Sequence, residues 1–269
     1  MNKQHMRILE MWGVERNYLI KNHKFYLEQG VSKLMSQFEN IEEEADKFAN
    51  DWLENNEYPF DPDYDDPADI YEKANDIGLE YGLNLYELQD HTRLSILSGL
   101  YHKWEKDLRV WLTRESRFWK CRESFKLELW KPGNSRIFSF FKGLGWDIKQ
   151  EDFYQDLEAI RLIVNVYKHG NGNSFNDLKK EYPKYIRDFD PNSPTSSIPD
   201  YYDHEDLIIS DRDLIELASA IEKFWNKIPS TFDFNNFKNV PQWLRDSYKV
   251  DDSKFCASQF NKLIVMSYF

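Results

Sequence analysis

Residues 158–170 read EAIRLIVNVYKHG, and the period of this stretch separates a helical from a sheet reading of the chain. Leu157, Ile160, Ile163, Val164 and Tyr167 recur at threes and fours, the spacing of an amphipathic helix and not the alternation of a strand. At about 100° per residue, Glu158, Asn165, Lys168 and His169 all fall within about 80° of Arg161. One face is therefore polar, while the apolar residues turn toward a core. Gly170 supplies the left-handed residue that commonly follows a helix end, and Asn171-Gly172-Asn173-Ser174 continues the turn signal.

The helical period extends outward in both directions. Residues 15–56 read as helix, with Gly30 a candidate break or kink, and 57–68 (EYPFDPDYDDPA) as a proline- and aspartate-rich loop. A second helical stretch covers about 67–80. A long helix follows over about 85–113, where Leu88, Leu94, Leu97, Leu100, Tyr101, Trp104, Leu108 and Trp111 are expected to form a broad apolar face. Basic helical material continues to about Leu129 and stops at Lys131-Pro132-Gly133-Asn134. Shorter helices are predicted over 134–144 and 174–182, the latter with Ser174 and Asp177 as cap and first turn. Residues 187–204 form a loop, Leu207–Ser210 a short strand, and Ser210 or Asp211 caps a helix through Lys227 that Pro229 ends. The closing LIVMSYF is too apolar for a solvated tail and is expected to be packed or at an interface.

The fold class expected is mainly α: a bundle with long helices and a long Pro/Asp-rich loop, with little or no sheet. Residues 1–186 form the helical core. Residues 187–269 form a loop and a C-terminal helical segment on that same core, one domain overall.

A chain of 269 residues that is 41% hydrophobic and 16% aromatic can bury a sizeable core. Its net charge of −12 argues against broad, nonspecific binding to nucleic acid or anionic membranes. The charge is uneven. Residues 37–72 hold fourteen acids and one lysine, whereas 109–126 hold six bases and two acids. Cys121 and Cys256 make neither a disulfide framework nor a zinc site and fit a reducing cytosol. The first residues lack a signal-peptide pattern, and no stretch approaches a membrane span. The expected location is the cytoplasm, with no membrane partner.

The polar face at 158–170 carries a definite chemistry. Histidine exchanges protons near neutral pH, arginine grips phosphate with paired hydrogen bonds, lysine adds a point charge, and asparagine orients a phosphate oxygen. Metal-free RNA cleavage needs this set: a base for the 2′-hydroxyl, an acid for the leaving oxygen and cations for the phosphate. The same residues also have a structural explanation. Lys168 and His169 suit a helix C-terminus, and Arg161 pairs naturally with Glu158 three residues earlier.

The segment resembles the signature helix of the HEPN superfamily, whose motif is an Arg, usually a polar residue next, and a His after four to six intervening residues. Here seven residues lie between Arg161 and His169, Leu162 takes the polar position, and Lys168-His169-Gly170 keeps the ending. The resemblance is firm over about twenty residues and extends loosely to the upstream helix containing LYHKWEKDLR. It implies a compact helical protein, commonly dimeric, of the kind frequent in toxin–antitoxin, CRISPR-linked and antiphage systems. It further implies a metal-independent endoribonuclease whose active site forms where two motifs meet. Arg161, Asn165 and His169 would be catalytic, Lys168 and Glu158 substrate-binding, with no metal and no cofactor. The partners implied are RNA, a second copy, and an antitoxin or defence-complex protein. The alternative is a noncatalytic HEPN-like module for binding or assembly.

Three further features invite functional readings. His102, Glu105 and Arg109 share a helix face and make either a second wall for the site or a solvated stripe with a salt bridge. Between the bases of 109–126 stand Trp111, Phe118, Trp119 and Phe125, which suit either nucleic-acid stacking or a core. Residues 61–72 place acids at calcium-loop positions, but Asp66 stands where glycine is needed, which favours a solvated acidic loop.

Overall fold

The computed structural model describes residues 7–55, 66–119, 121–187, 202–233 and 240–251. The chain is mainly α. Its helices are α1 (Gly13–Leu34), α2 (Ile41–Asn55), α3 (Pro67–Glu115), α4 (Arg122–Leu129), α5 (Ser135–Gly143), α6 (Tyr154–His169), α7 (Asn173–Glu181), α8 (Asp211–Lys227) and α9 (Gln242–Asp251). Strands β1 (Arg7–Glu10) and β2 (Thr231–Asp233) pair antiparallel, with Leu9 opposite Phe232 and Glu10 opposite Thr231. Most of the acidic stretch 57–68, most of the 187–204 loop, and the apolar C-terminal ending lie outside the described residues.

Two compact units make up the chain. One comprises Met1–Lys24, Gly99–Arg161 and Leu217–Phe269; the other comprises Phe25–Ser98 and Leu162–Glu216. Each unit draws on residues from both sides of position 186.

The first unit is built on aromatics. Trp104 meets Phe224 edge-to-face at 5.1 Å between ring centroids, Phe141 stacks on Phe232 at 5.4 Å, and Phe125 stacks on Trp243 at 5.7 Å. Such geometries add to the area that the rings bury. Arg16 ties the start of α1 to the end of α8 by donating to the carbonyls of Asn226 at 3.0 Å and Ile228 at 2.6 Å. A cation thus meets the orphan carbonyls that every helix C-terminus exposes. The β1–β2 pair joins segments some 220 residues apart in sequence. Strands this short carry too little alternation to be seen in sequence.

The second unit depends on small residues. A Cβ placed at Gly78 would stand 2.9 Å from the Cβ of Ala49 and 3.0 Å from the carbonyl oxygen of Ala45; one at Gly82 would stand 3.2 Å from the Cβ of Ala45. Phe48 stacks on Tyr81 at 4.3 Å beside this contact. The predicted gap between helices at 67–80 and 85–113 is therefore absent. α3 runs unbroken through both glycines, and the close approach of α2 offsets their helix-propensity cost of about 1 kcal/mol each.

Other boundaries also shift. Gly30 lies inside α1 and not at a break, because its bare Cα admits Ile96, whose Cγ2 would be 3.2 Å from an added Cβ. The break falls instead at the 3-10 turn Met35–Phe38. α7 starts at Asn173 with no side-chain cap, so Ser174 does not serve as one. Ser210 does cap α8: its Oγ accepts from the N–H of Asp213 at 3.1 Å, and its own N–H donates to Asp213 Oδ2 at 3.0 Å. The strand read at Leu207–Ser210 reduces to a single antiparallel bridge between Leu207 and Ile186.

Candidate functional site

The burial pattern of α6 follows the sequence period. Leu157, Ala159, Ile160, Leu162, Ile163, Val164 and Val166 are buried. Glu158, Arg161 and Asn165 are half-buried, and Lys168 and His169 are exposed in the last turn. Tyr167 is only half-buried; its hydroxyl lies 2.7 Å from Ser95 Oγ, so it is an anchor at the edge of the core. The helix closes where the sequence indicated. Gly170 has φ +71° and donates its N–H to the carbonyl of Val166 at 2.8 Å.

Arg161 is held by Glu158. Its Nε lies 3.0 Å from both carboxylate oxygens, and Nη2 donates to Oε1 at 2.5 Å. The hydrogen bonds that Arg161 donates to Glu158 push the guanidinium pKa up against the opposing effect of burial. Among the described residues, no hydrogen bond or ion pair engages the side chains of Asn165, Lys168 or His169. Eight residues of helical rise separate Arg161 from His169 by about 12 Å along the axis.

One neighbour of the helix end was not legible in the sequence. The ring of His204 lies against Gly170, where an added Cβ would meet its Cδ2 at 3.4 Å. The N–H of His204 donates to Asn171 Oδ1 at 2.9 Å, and Asp203 and Asp206 form a capping box around it. No spacing rule points to this histidine, because the turn that brings it back is tertiary.

On the face His102, Glu105, Arg109, the last two form a scaffold, while His102 is exposed. Arg109 is 6% exposed and donates Nε–H to the carbonyl of Leu129 at 2.8 Å. Its Nη2 donates to the carbonyl of Gly133 and to Asn134 Oδ1, each at 3.1 Å. Asn134 in turn donates to Glu105 Oε1 at 2.7 Å and to the Tyr101 hydroxyl at 3.1 Å. Burial, followed by the charge of Glu105, pushes the Tyr101 phenol far up, so it stays protonated. The charges of Arg161 and Glu158 also act on Tyr101, Arg161 lowering its pKa and Glu158 raising it.

In the basic segment, Trp111, Trp119 and Phe125 are core, and only Phe118 is exposed, with Arg117 4.7 Å from its ring centroid. Those three rings serve packing and not stacking on bases. Among the described residues, no cluster of His, Cys, Asp and Glu is placed to hold a metal ion, and no helix is long and apolar enough to cross a membrane.

Comparison with family models, with curated proteins and with solved structures returned no match.

Proposed function

We propose that the chain is a HEPN-like endoribonuclease that cleaves RNA without a metal ion, acting in the cytoplasm as a toxin or antiphage effector. The observation that carries this reading is the last turn of α6. Lys168 and His169 stand exposed on the helix face that also holds Arg161 and Asn165, and Gly170 ends the helix immediately after them.

In this mechanism His169 accepts the proton of the 2′-hydroxyl. The 2′-oxygen attacks the adjacent phosphorus, the bond to the 5′-oxygen breaks, and that oxygen takes a proton from a second acid. The products are a 2′,3′-cyclic phosphate and a 5′-hydroxyl. Lys168 and Arg161 offset the charge that builds on the phosphoryl oxygens, and the Asn165 amide orients one of them. A second copy of the motif would complete the site in the dimer that the HEPN resemblance implies.

The test is cleavage of single-stranded RNA in EDTA. His169→Ala is expected to abolish it while leaving the melting temperature within about 2 °C, the usual range for a small surface change. Cleavage retained by that variant would falsify the assignment.

A specific observation favours a second reading, a noncatalytic HEPN-like binding module within a defence complex. Two of the three guanidinium nitrogens of Arg161 already engage Glu158. That module would bind RNA or a protein partner, such as an antitoxin, with no cyclic phosphate formed under any condition.

A further inference from the structure

We infer that the outer face of α3 around Leu79, Leu83 and Tyr86 is a docking surface for a basic amphipathic helix of a partner protein. The inference is independent of RNA cleavage.

These three large side chains are 58%, 68% and 45% exposed. They stand at i, i+4 and i+7, so they align as one stripe about two turns long. Exposed apolar residues scattered singly need no explanation, but a contiguous patch of a few hundred Å² commonly marks an interaction site. The platform beneath them is firm. About a quarter turn round the same helix stand Gly78 and Gly82, which pack directly on Ala45 and Ala49 of α2.

Charge identifies the occupant. Helix α2 and residues 67–90 of α3 hold twelve acids against Lys47 and Lys73, in a chain whose net charge is −12. Glu72, Asp76, Glu80 and Glu87 are exposed around the stripe. Glu72, Asp76 and Glu80 make no ion pair among the described residues. A second copy docked stripe to stripe would oppose acid to acid, and a nucleic acid would be repelled. A helix with one apolar face and lysine or arginine along its rims satisfies both the i, i+4, i+7 spacing and the flanking carboxylates.

The test uses the full chain and a fluorescein-labelled peptide of about 18 residues, roughly five helical turns, with leucines on one face and lysines elsewhere. A scrambled peptide of identical composition is the control. Fluorescence anisotropy at physiological salt is expected to show at least tenfold tighter binding of the amphipathic peptide. The double variant Leu79→Gln, Leu83→Gln is expected to lose at least tenfold in affinity, and so is Asp76→Lys, Glu80→Lys. Circular dichroism and thermal melts should match the unsubstituted chain, because all four positions are exposed. Equal binding of the two peptides, or binding indifferent to the leucine variant, overturns the proposal. So does light scattering that shows a dimer which the leucine variant makes monomeric, since the occupant is then a second copy. Loss of single-stranded RNA binding in the leucine variant also overturns it.

Discussion

Arg161 donates Nε–H at 3.0 Å to both carboxylate oxygens of Glu158, so this cation is already held by an anion on its own helix. The pair is partly exposed and intrahelical, hence worth only about 0.2–0.5 kcal/mol to stability. Glu158→Gln should barely move the melting temperature. It should nevertheless tighten binding of a short single-stranded RNA by about threefold, because it removes one anion beside the cation. Arg161→Ala should weaken the same binding at least tenfold, the loss of one charge-assisted phosphate contact. Anisotropy titrations at fixed salt check both. Affinity unchanged in the two variants would separate Arg161 from RNA altogether.

Arg109 presents a different problem, because it is buried and spent entirely on structure. Replacing it by Met leaves the carbonyls of Leu129 and Gly133 without a donor and leaves Glu105 short of its counter-charge. The expected cost is about 2–4 kcal/mol. Arg109→Lys should also lose more than about 1 kcal/mol, since an ammonium cannot reproduce a fork aimed at several acceptors. Urea denaturation gives the readout: midpoints should fall in the order unsubstituted, Lys, Met. Equal midpoints would show that the network is dispensable.

The contrast between these two arginines shows what the sequence made legible. Glu158, Arg161, Asn165, Lys168 and His169 lie on one helix, and a helix's own period places every one of them. The end at Gly170 was legible for the same reason. Arg109 sits in an equally regular helix, but its acceptors come from the end of α4 and the turn that follows, and no local pattern reports them. His204 escapes notice because it reaches Gly170 through a tertiary turn. The β1–β2 pairing and the continuity of α3 through Gly78 and Gly82 were also hidden. Each depends on a partner segment far away in the sequence, without which a glycine reads as a breaker and RILE reads as nothing in particular.

His23 makes stability depend on pH in a stated direction. Its ring is buried, and Nε2–H donates to the carbonyl of Ala218 at 2.8 Å. Burial lowers its pKa below the ordinary histidine value of 6.5. The Ala218 carbonyl and Glu222 oppose that shift, and Lys103 and Lys24 add to it. Between the folded pKa and 6.5 the unfolded chain binds more protons than the folded one, so stability falls as pH drops through that window. Above 6.5 the contribution is fully present. Melting temperatures taken from pH 7.5 to 5.5 should decline below about 6.5, and His23→Gln should flatten the decline. An unchanged decline in that variant would assign the acid sensitivity to other groups.

Gly78 sets intrinsic helix propensity against packing, and the structure decides which wins. Alanine at this position gains about 1 kcal/mol of helix propensity. Its Cβ, however, would stand 2.9 Å from Ala49 Cβ and 3.0 Å from the backbone oxygen of Ala45. Backbone yields only by shifting a whole helix, and overpacking of this kind costs about 1–3 kcal/mol. Gly78→Ala should therefore lower the melting temperature despite its better propensity. Gly82→Ala meets only the Cβ of Ala45, at 3.2 Å, and should come out near neutral. Pairing Gly78→Ala with Ala49→Gly removes the side-chain clash but leaves the one with the Ala45 oxygen. The double variant should then recover only part of the lost stability, beyond its own glycine penalty. Were Gly78→Ala to raise the melting temperature, α2 and α3 would not be in the close contact that carries α3 through its two glycines.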